Sequence, residues 1–307
     1  MNVYLDTSAI NYFADNCKGE MLSALEPLGI GLFFSPITLW EILLNSNQSR
    51  KESLIYWGQL YSNERLIKSP SEILIDYLNL NCPVSDRREF AKDPFTKLTI
   101  GKAWKNIHGR IDRTIPIDTE NLKEYTKNIH FLSKKMKTIV NSMTAPDYEK
   151  REVDIFYLSA KRINEKFDLP WDGDFMKITI VSVILAFYIL CIGIEMDKSL
   201  IRDYWKKLKI EDPFDRLEYL ISKYPLFFKR GPLVEMSYMI KTQISMQNSK
   251  SRGMLHDSFH VLYAYYADLF VTGDKHFKKF MTDIDDKAFK NIVLVEDIAS
   301  KFKNFNG

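Results

Sequence analysis

Apolar residues come in short runs at the two ends of the chain and at helical spacing through its middle. Val3-Tyr4-Leu5 is expected to be a buried strand, and Asp6-Thr7-Ser8 behind it is helix-capping chemistry. A helix over residues 9–14 follows. Gly29 and Gly31 bracket a turn into a second strand, Leu32-Phe33-Phe34. Ser35-Pro36 or Thr38 then opens a helix carrying Trp40, Glu41, Ile42, Leu43 and Leu44. From about residue 50 to residue 250 the pattern is helical. Ser69-Pro70-Ser71-Glu72 combines a serine cap, a proline at the first helical position and a glutamate at the third. Ile73, Leu74, Tyr77 and Leu78 recur behind it at helical spacing. Asp93-Pro94 and Asp212-Pro213 are read as similar helix starts, and residues 65–68 and 115–117 as short strands. The far end returns to alternating elements: a helix over 256–267, a buried strand over 269–272, a Gly273-Asp274 turn, a strand over 292–295 and a closing helix over 297–302. That spacing fits a parallel crossover unit. The expected fold is therefore α/β, with a parallel-sheet core formed by the two chain ends and a large, mainly α-helical insertion between them.

Residues 178–194, ITIVSVILAFYILCIGI, carry no charge and as a helix span roughly 26 Å. A bilayer asks for about 20 apolar residues. If the two ends of the chain share one sheet, they lie on one side of any membrane, and a single span cannot satisfy that. A buried helix at the centre of the insertion is the expectation, with the membrane span as the alternative.

Composition narrows the class without naming a function. The 46% hydrophobic content and the few Gly and Pro describe a globular chain able to bury a core. The net charge of +3, from 43 basic and 40 acidic residues, neither demands nor excludes a nucleic-acid partner. Cys17, Cys82 and Cys191 are scattered without metal or disulfide spacing, and MNVYLDTS has no signal-peptide character. A cytoplasmic protein is expected.

Four acids stand where this pattern places strand ends and the helices beside them. Asp6 and Asp274 each follow an apolar strand, Glu41 lies early in the helix after the second strand, and Asp257 opens the helix that leads into the strand before Asp274. In a parallel sheet the carboxyl edge builds ligand sites. Four carboxylates gathered there repel one another without a cation, and hard oxygen ligands suit Mg²⁺ or Mn²⁺. Each acid also has an ordinary explanation as a cap, a turn residue or a solvated side chain.

These residues carry a resemblance. Val3-Tyr4-Leu5-Asp6-Thr7-Ser8-Ala9-Ile10, Phe34-Ser35-Pro36-Ile37-Thr38-Leu39-Trp40-Glu41-Ile42-Leu43, Asp257-Ser258-Phe259-His260-Val261-Leu262-Tyr263-Ala264 and Leu269-Phe270-Val271-Thr272-Gly273-Asp274-Lys275-His276-Phe277 stand in one order. Together they resemble the PIN-domain nucleases, best known as toxins of bacterial toxin–antitoxin modules. The resemblance covers roughly residues 1–48 and 253–307, read as a three-layer α/β/α nuclease core, with residues 49–252 as the insertion. The insertion is also open to holding remaining core helices and a short strand. The resemblance implies that Asp6, Glu41, Asp257 and Asp274 bind Mg²⁺ or Mn²⁺, with Thr7, Ser8, Asn11 and Thr272 as supporting polar groups. It implies RNA cleavage leaving a 5′-phosphate and a 3′-hydroxyl, an antitoxin-like inhibitor as a partner, and a homodimer. Toxin-type relatives are much shorter between the second and third acids.

Basic residues near the third motif, Lys241, Lys250 and Arg252, and Lys275 beside Asp274, are candidate RNA contacts; a solvated lysine-rich surface explains them equally. His260, one helical turn after Asp257, is read either as a packing or supporting residue or as a soft-metal ligand, and no H-E-x-x-H pattern supports the second. A haloacid-dehalogenase-type phosphatase needs a second aspartate two positions after Asp6, where Ser8 stands. A PIN-like fold that binds RNA or protein without cutting is the remaining rival.

Overall fold

The computed structural model describes residues 2–16, 31–62, 65–79, 95–99, 127, 130–138, 151–170, 173–194, 197–245, 254–264, 267–284 and 291–298. Its elements run β1 (Asn2–Leu5), α1 (Thr7–Asn16), β2 (Gly31–Phe33), α2 (Pro36–Leu43), α3 (Gln48–Ser62), β3 (Arg65–Ile67), α4 (Pro70–Asn79), β4 (Phe95–Thr99), α5 (Arg151–Lys166), α6 (Gly173–Ala186), α7 (Lys198–Leu208), α8 (Pro213–Lys223), α9 (Pro232–Ser245), α10 (Met254–Ala264), β5 (Leu269–Thr272), α11 (Lys275–Ile284) and β6 (Ile292–Leu294). They divide into two compact units. One holds Met1–Ser69, Ala91–Lys123 and His260–Gly307; the other holds Pro70–Phe90 and Glu124–Phe259.

The first unit is α/β. Strands from both chain ends form one parallel four-stranded sheet in the order β2-β1-β5-β6. The register pairs Val3 with Leu269, Tyr4 with Phe270 and Leu5 with Val271, so β1 and β5 end side by side. Successive side chains of a strand point to opposite faces. Val3 and Leu5 pack into a core with Ile10 and Phe13 of α1, Leu39 and Ile42 of α2, and Leu54 and Ile55 of α3. Tyr4 takes the other face, its ring stacked on Tyr263 at 4.9 Å and tilted against Phe270 at 4.9 Å.

Elements α3 and β3 belong to the α/β unit, and Leu54, Ile55 and Leu66 fill its core. One expectation needs correction here. The segment after Asp93-Pro94 is a strand, β4, paired antiparallel with β3, and not a helix. Its sequence, Phe-Thr-Lys-Leu-Thr, is rich in β-branched and aromatic residues, a preference that outweighs the helix-start signal. Asp93-Pro94 themselves and the strand read at 115–117 lie outside the described residues.

The second unit is helical among its described residues. Its centre is the uncharged stretch 178–194, carried by α6 and the π-helical segment Phe187–Ile192 that continues it. The side chains from Thr179 to Phe187 are buried, with α5 and α9 packed along α6. Its few polar groups are paired within the unit: Ser182 donates to Ser237 at 2.7 Å, and Thr179 donates to Asn164 at 2.9 Å. The last carbonyls of an apolar helix need partners, and neighbours supply them. Ser71 donates to Ile189 at 3.3 Å, the Trp205 indole to Leu190 at 2.5 Å, and Arg216 to Cys191 at 2.5 Å. Gly193 ends the segment at φ +90°, where a Cβ would lie 3.1 Å from the backbone of Lys198. About two thirds of this apolar stretch is buried against the rest of the protein, as the sequence pattern predicts for a core helix.

Candidate functional site

Among the described strands, the sheet has a topological switch point between β1 and β5. From β1 the chain crosses to β2 on one side, and much later it returns to place β5 on the other side of β1. The carboxyl ends of strands flanking such a point open into a crevice that ligands use. Asp6 follows β1 directly, and Thr272-Gly273-Asp274 closes β5.

Hydrogen bonds sew these two ends together. Asp6 is the cap of α1: its Oδ1 accepts from the Ala9 amide at 2.8 Å and from the Ser8 hydroxyl at 2.6 Å. Its Oδ2 accepts from the Thr272 hydroxyl at 2.5 Å. Thr272 in turn accepts from the Asp274 amide at 2.9 Å, and Ser8 accepts from the Gly273 amide at 2.6 Å. Asp274 caps α11, with its Oδ1 accepting from the amides of His276 and Phe277 at 2.7 and 3.0 Å. The capping explanation therefore holds for both aspartates, and both caps stand at one edge.

Gly273 is a glycine for want of space. A Cβ there would meet Ser8 Oγ at 3.1 Å and Ser8 Cβ at 3.2 Å. Gly273→Ala is expected to crowd Ser8 at the start of α1 and to lower stability by about 1–3 kcal/mol, read from the urea midpoint. A midpoint equal to wild type would mean that the edge yields freely.

Glu41 sits in α2, whose start is set by Ser35 accepting from the Thr38 amide at 3.1 Å and by Pro36 in the first turn. Its carboxylate accepts from the Thr7 hydroxyl and, at 3.2 Å, from His260 Nε2. The Glu41 side chain keeps 21% of its exposure against 5% for His260. Asn11 serves further along α1: it donates to the Thr7 carbonyl at 2.8 Å and accepts from Arg50 at 2.8 Å, while Arg50 also pairs with Asp15. Sequence reasoning did not single out Arg50, a surface-type residue in a helix assigned to the insertion.

Electrostatics single out Asp6, which is 7% exposed. Burial pushes its carboxyl above the ordinary aspartate range, and nearby His260 and the Ser8, Thr272 and Ala9 donors only partly offset this. A cation at this edge would supply the missing compensation. Among the described residues, no three His, Cys, Asp or Glu side chains converge on a single point able to hold an ion. Mg²⁺ needs less than that, since it keeps several waters and takes one or two carboxylates beside substrate phosphate. Asp6, Glu41 and Asp274 each offer hard carboxylate oxygens, the ligand type such an ion takes.

The remaining candidates have partners of their own. Asp257, in α10 and in the second unit, accepts from the Gln243 amide at 3.2 Å. Lys241 forms an ion pair with Asp174 inside that unit, and its side chain is 12% exposed. Lys275 is exposed beside Asp274 and pairs with Glu296 at 3.3 Å. Lys250 and Arg252 lie outside the described residues. No family model, no curated protein and no solved structure matches the chain.

Proposed function

We propose that this chain is an Mg²⁺- or Mn²⁺-dependent endoribonuclease built on a PIN-like core. The observation that carries the reading is the bond from Thr272 to Asp6. Two motifs at opposite ends of the sequence, Asp-Thr-Ser and Thr-Gly-Asp, meet at the switch point of one parallel sheet. In this reading Asp6 and Asp274 would hold the ion, Glu41 would orient the attacking water, and Asp257 joins them on its sequence motif. The ion, when bound, polarises the phosphoryl oxygen and lowers the pKa of a bound water.

The chain's own residues do the positioning. Ser8 and the Ala9 amide hold one oxygen of Asp6, and Thr272 holds the other, which leaves lone pairs on Oδ2 for a ligand. Thr7 ties Glu41 to the first turn of α1, so both acids are referred to the same helix start. Lys275 next to Asp274 offers a cation to a phosphate, at the expense of its exposed and weakly held pair with Glu296.

The test is cleavage of a labelled RNA panel with Mg²⁺ or Mn²⁺, run against an EDTA control and Asp274→Asn. Metal-dependent cutting lost in both controls is the expected result. The rival reading is a PIN-like fold that binds without cutting; it is favoured by each acid already having its own protein donors. Folded wild type that binds RNA and leaves it intact under all these conditions would establish that rival.

A further inference from the structure

The side of the sheet that carries Tyr4 holds a buried polar chain that the four acids do not explain. Tyr4 is fully buried, yet its hydroxyl lies 2.8 Å from Ser35 Oγ, 3.2 Å from Thr38 Oγ1 and 2.7 Å from His260 Nδ1. His260 is 4% exposed and closes the chain with Nε2 at 3.2 Å from Glu41 Oε2. Its ring is walled by Tyr263, Phe270 and Phe277 at centroid separations of 6.1–6.4 Å. Buried polar groups on this scale are costly unless all are paired, and a paired network fixes one geometry.

The proton arrangement points one way. A carboxylate only accepts, so the ring nitrogen facing Glu41 carries a hydrogen. In the neutral ring Nδ1 then accepts from the Tyr4 hydroxyl, whose oxygen accepts from Ser35. In the charged ring Nδ1 donates to Tyr4, which donates onward to Ser35 or Thr38. Either way His260 Nε2–H holds Glu41.

We propose that His260 is the positioning residue of this site, held by Tyr4 through Nδ1 and holding Glu41 through Nε2, so that the carboxylate is presented in one orientation. This rests on the metal-nuclease reading above. Thr7 grips Glu41 from α1 and His260 grips it from α10, so the carboxylate is clamped between two elements. Partners of this kind set the orientation of a ligand, and their loss lowers metal affinity or activity about 10–100-fold.

The experiment compares wild type, His260→Leu, His260→Gln and Tyr4→Phe in the full chain. Mn²⁺ affinity is measured by calorimetry, kcat and KM on a labelled RNA, and melting temperature in EDTA. The expected result for His260→Leu is Mn²⁺ binding or kcat lowered about 10–100-fold, with KM for RNA unchanged because the ring touches no substrate. His260→Gln, which keeps a donor for Glu41, should recover much of the loss. Tyr4→Phe should move kcat in the same direction by several-fold and keeps the test alive if the leucine variant does not fold. Wild type that binds Mn²⁺ and cuts RNA while folded His260→Leu or Tyr4→Phe equals it overturns the positioning role alone. Wild type that neither binds Mn²⁺ nor cuts overturns the nuclease reading and this inference with it.

Discussion

Asp6→Asn is expected to abolish RNA cleavage while leaving the metal-free protein as stable as wild type, or more so, at neutral pH. Loss of a supporting partner at a metal site alone lowers activity about 10–100-fold, so loss of a principal ligand should exceed about 100-fold. The stability half follows from burial. The folded-state pKa of Asp6 is raised, so the folded protein resists an ionisation that the unfolded chain accepts freely. Below the ordinary aspartate value of about 4, both states are protonated and wild type pays no ionisation penalty. As pH rises past that value the unfolded chain ionises first, and wild type loses stability until the raised folded value is passed. Asparagine never ionises and is as good a helix cap as aspartate. Melting temperatures of both proteins in EDTA, taken from acid to neutral pH, should therefore diverge upward in favour of the variant. An Asp6→Asn protein that melts well below wild type at neutral pH would mean that the carboxylate is held for the fold. Its loss of activity would then say nothing about a metal.

How much of this was legible depends on the range of each interaction. The strand over residues 3–5 and its capping Asp6 were readable because both signals are local: an apolar run, then Asp-Thr-Ser. So was the strand ending in Thr272, and the parallel order follows once both are strands. The bond from Thr272 to Asp6 needed only the register to follow. What could not be read were side chains meeting through tertiary packing. Tyr4 in a buried strand carried a hint, since a buried tyrosine hydroxyl needs a partner. Nothing nearby in the chain said that the partner would be His260, which comes from a helix at the other end. The ion pair of Lys241 with Asp174 was hidden for the same reason, since nothing in a short window of sequence places that acid beside it. The strand β4 was missed because Asp-Pro was weighed as a helix start, and its pairing with β3 lies beyond any short window. The apolar stretch from α6 was expected to be a core helix because both chain ends share one sheet, whereas the three side chains that satisfy its final carbonyls could not be read.

Those carbonyls identify the residue whose loss should unfold the second unit. Trp205 is completely buried, one of the two buried residues of α7 together with Ile201. Its indole N–H reaches the Leu190 carbonyl in the π-helical segment, and the Arg216 guanidinium lies 5.9 Å from the ring while donating to Cys191 next along. Trp205→Ala removes the largest side chain in this contact and leaves a cavity, a change that costs about 3–5 kcal/mol. The Leu190 carbonyl is also left without its donor, worth about 1–3 kcal/mol if water cannot reach it. The two effects can be separated. Trp205→Phe keeps most of the ring volume and loses the N–H, so its cost should fall between wild type and alanine. Urea midpoints of detergent-free protein, followed by a helical signal, would rank the three as wild type, then phenylalanine, then alanine. If the apolar stretch were instead made for a lipid environment, α7 would not be its cover and all three midpoints would coincide. A typical domain has only about 5–15 kcal/mol to lose, so the alanine variant should be close to unfolded at physiological temperature.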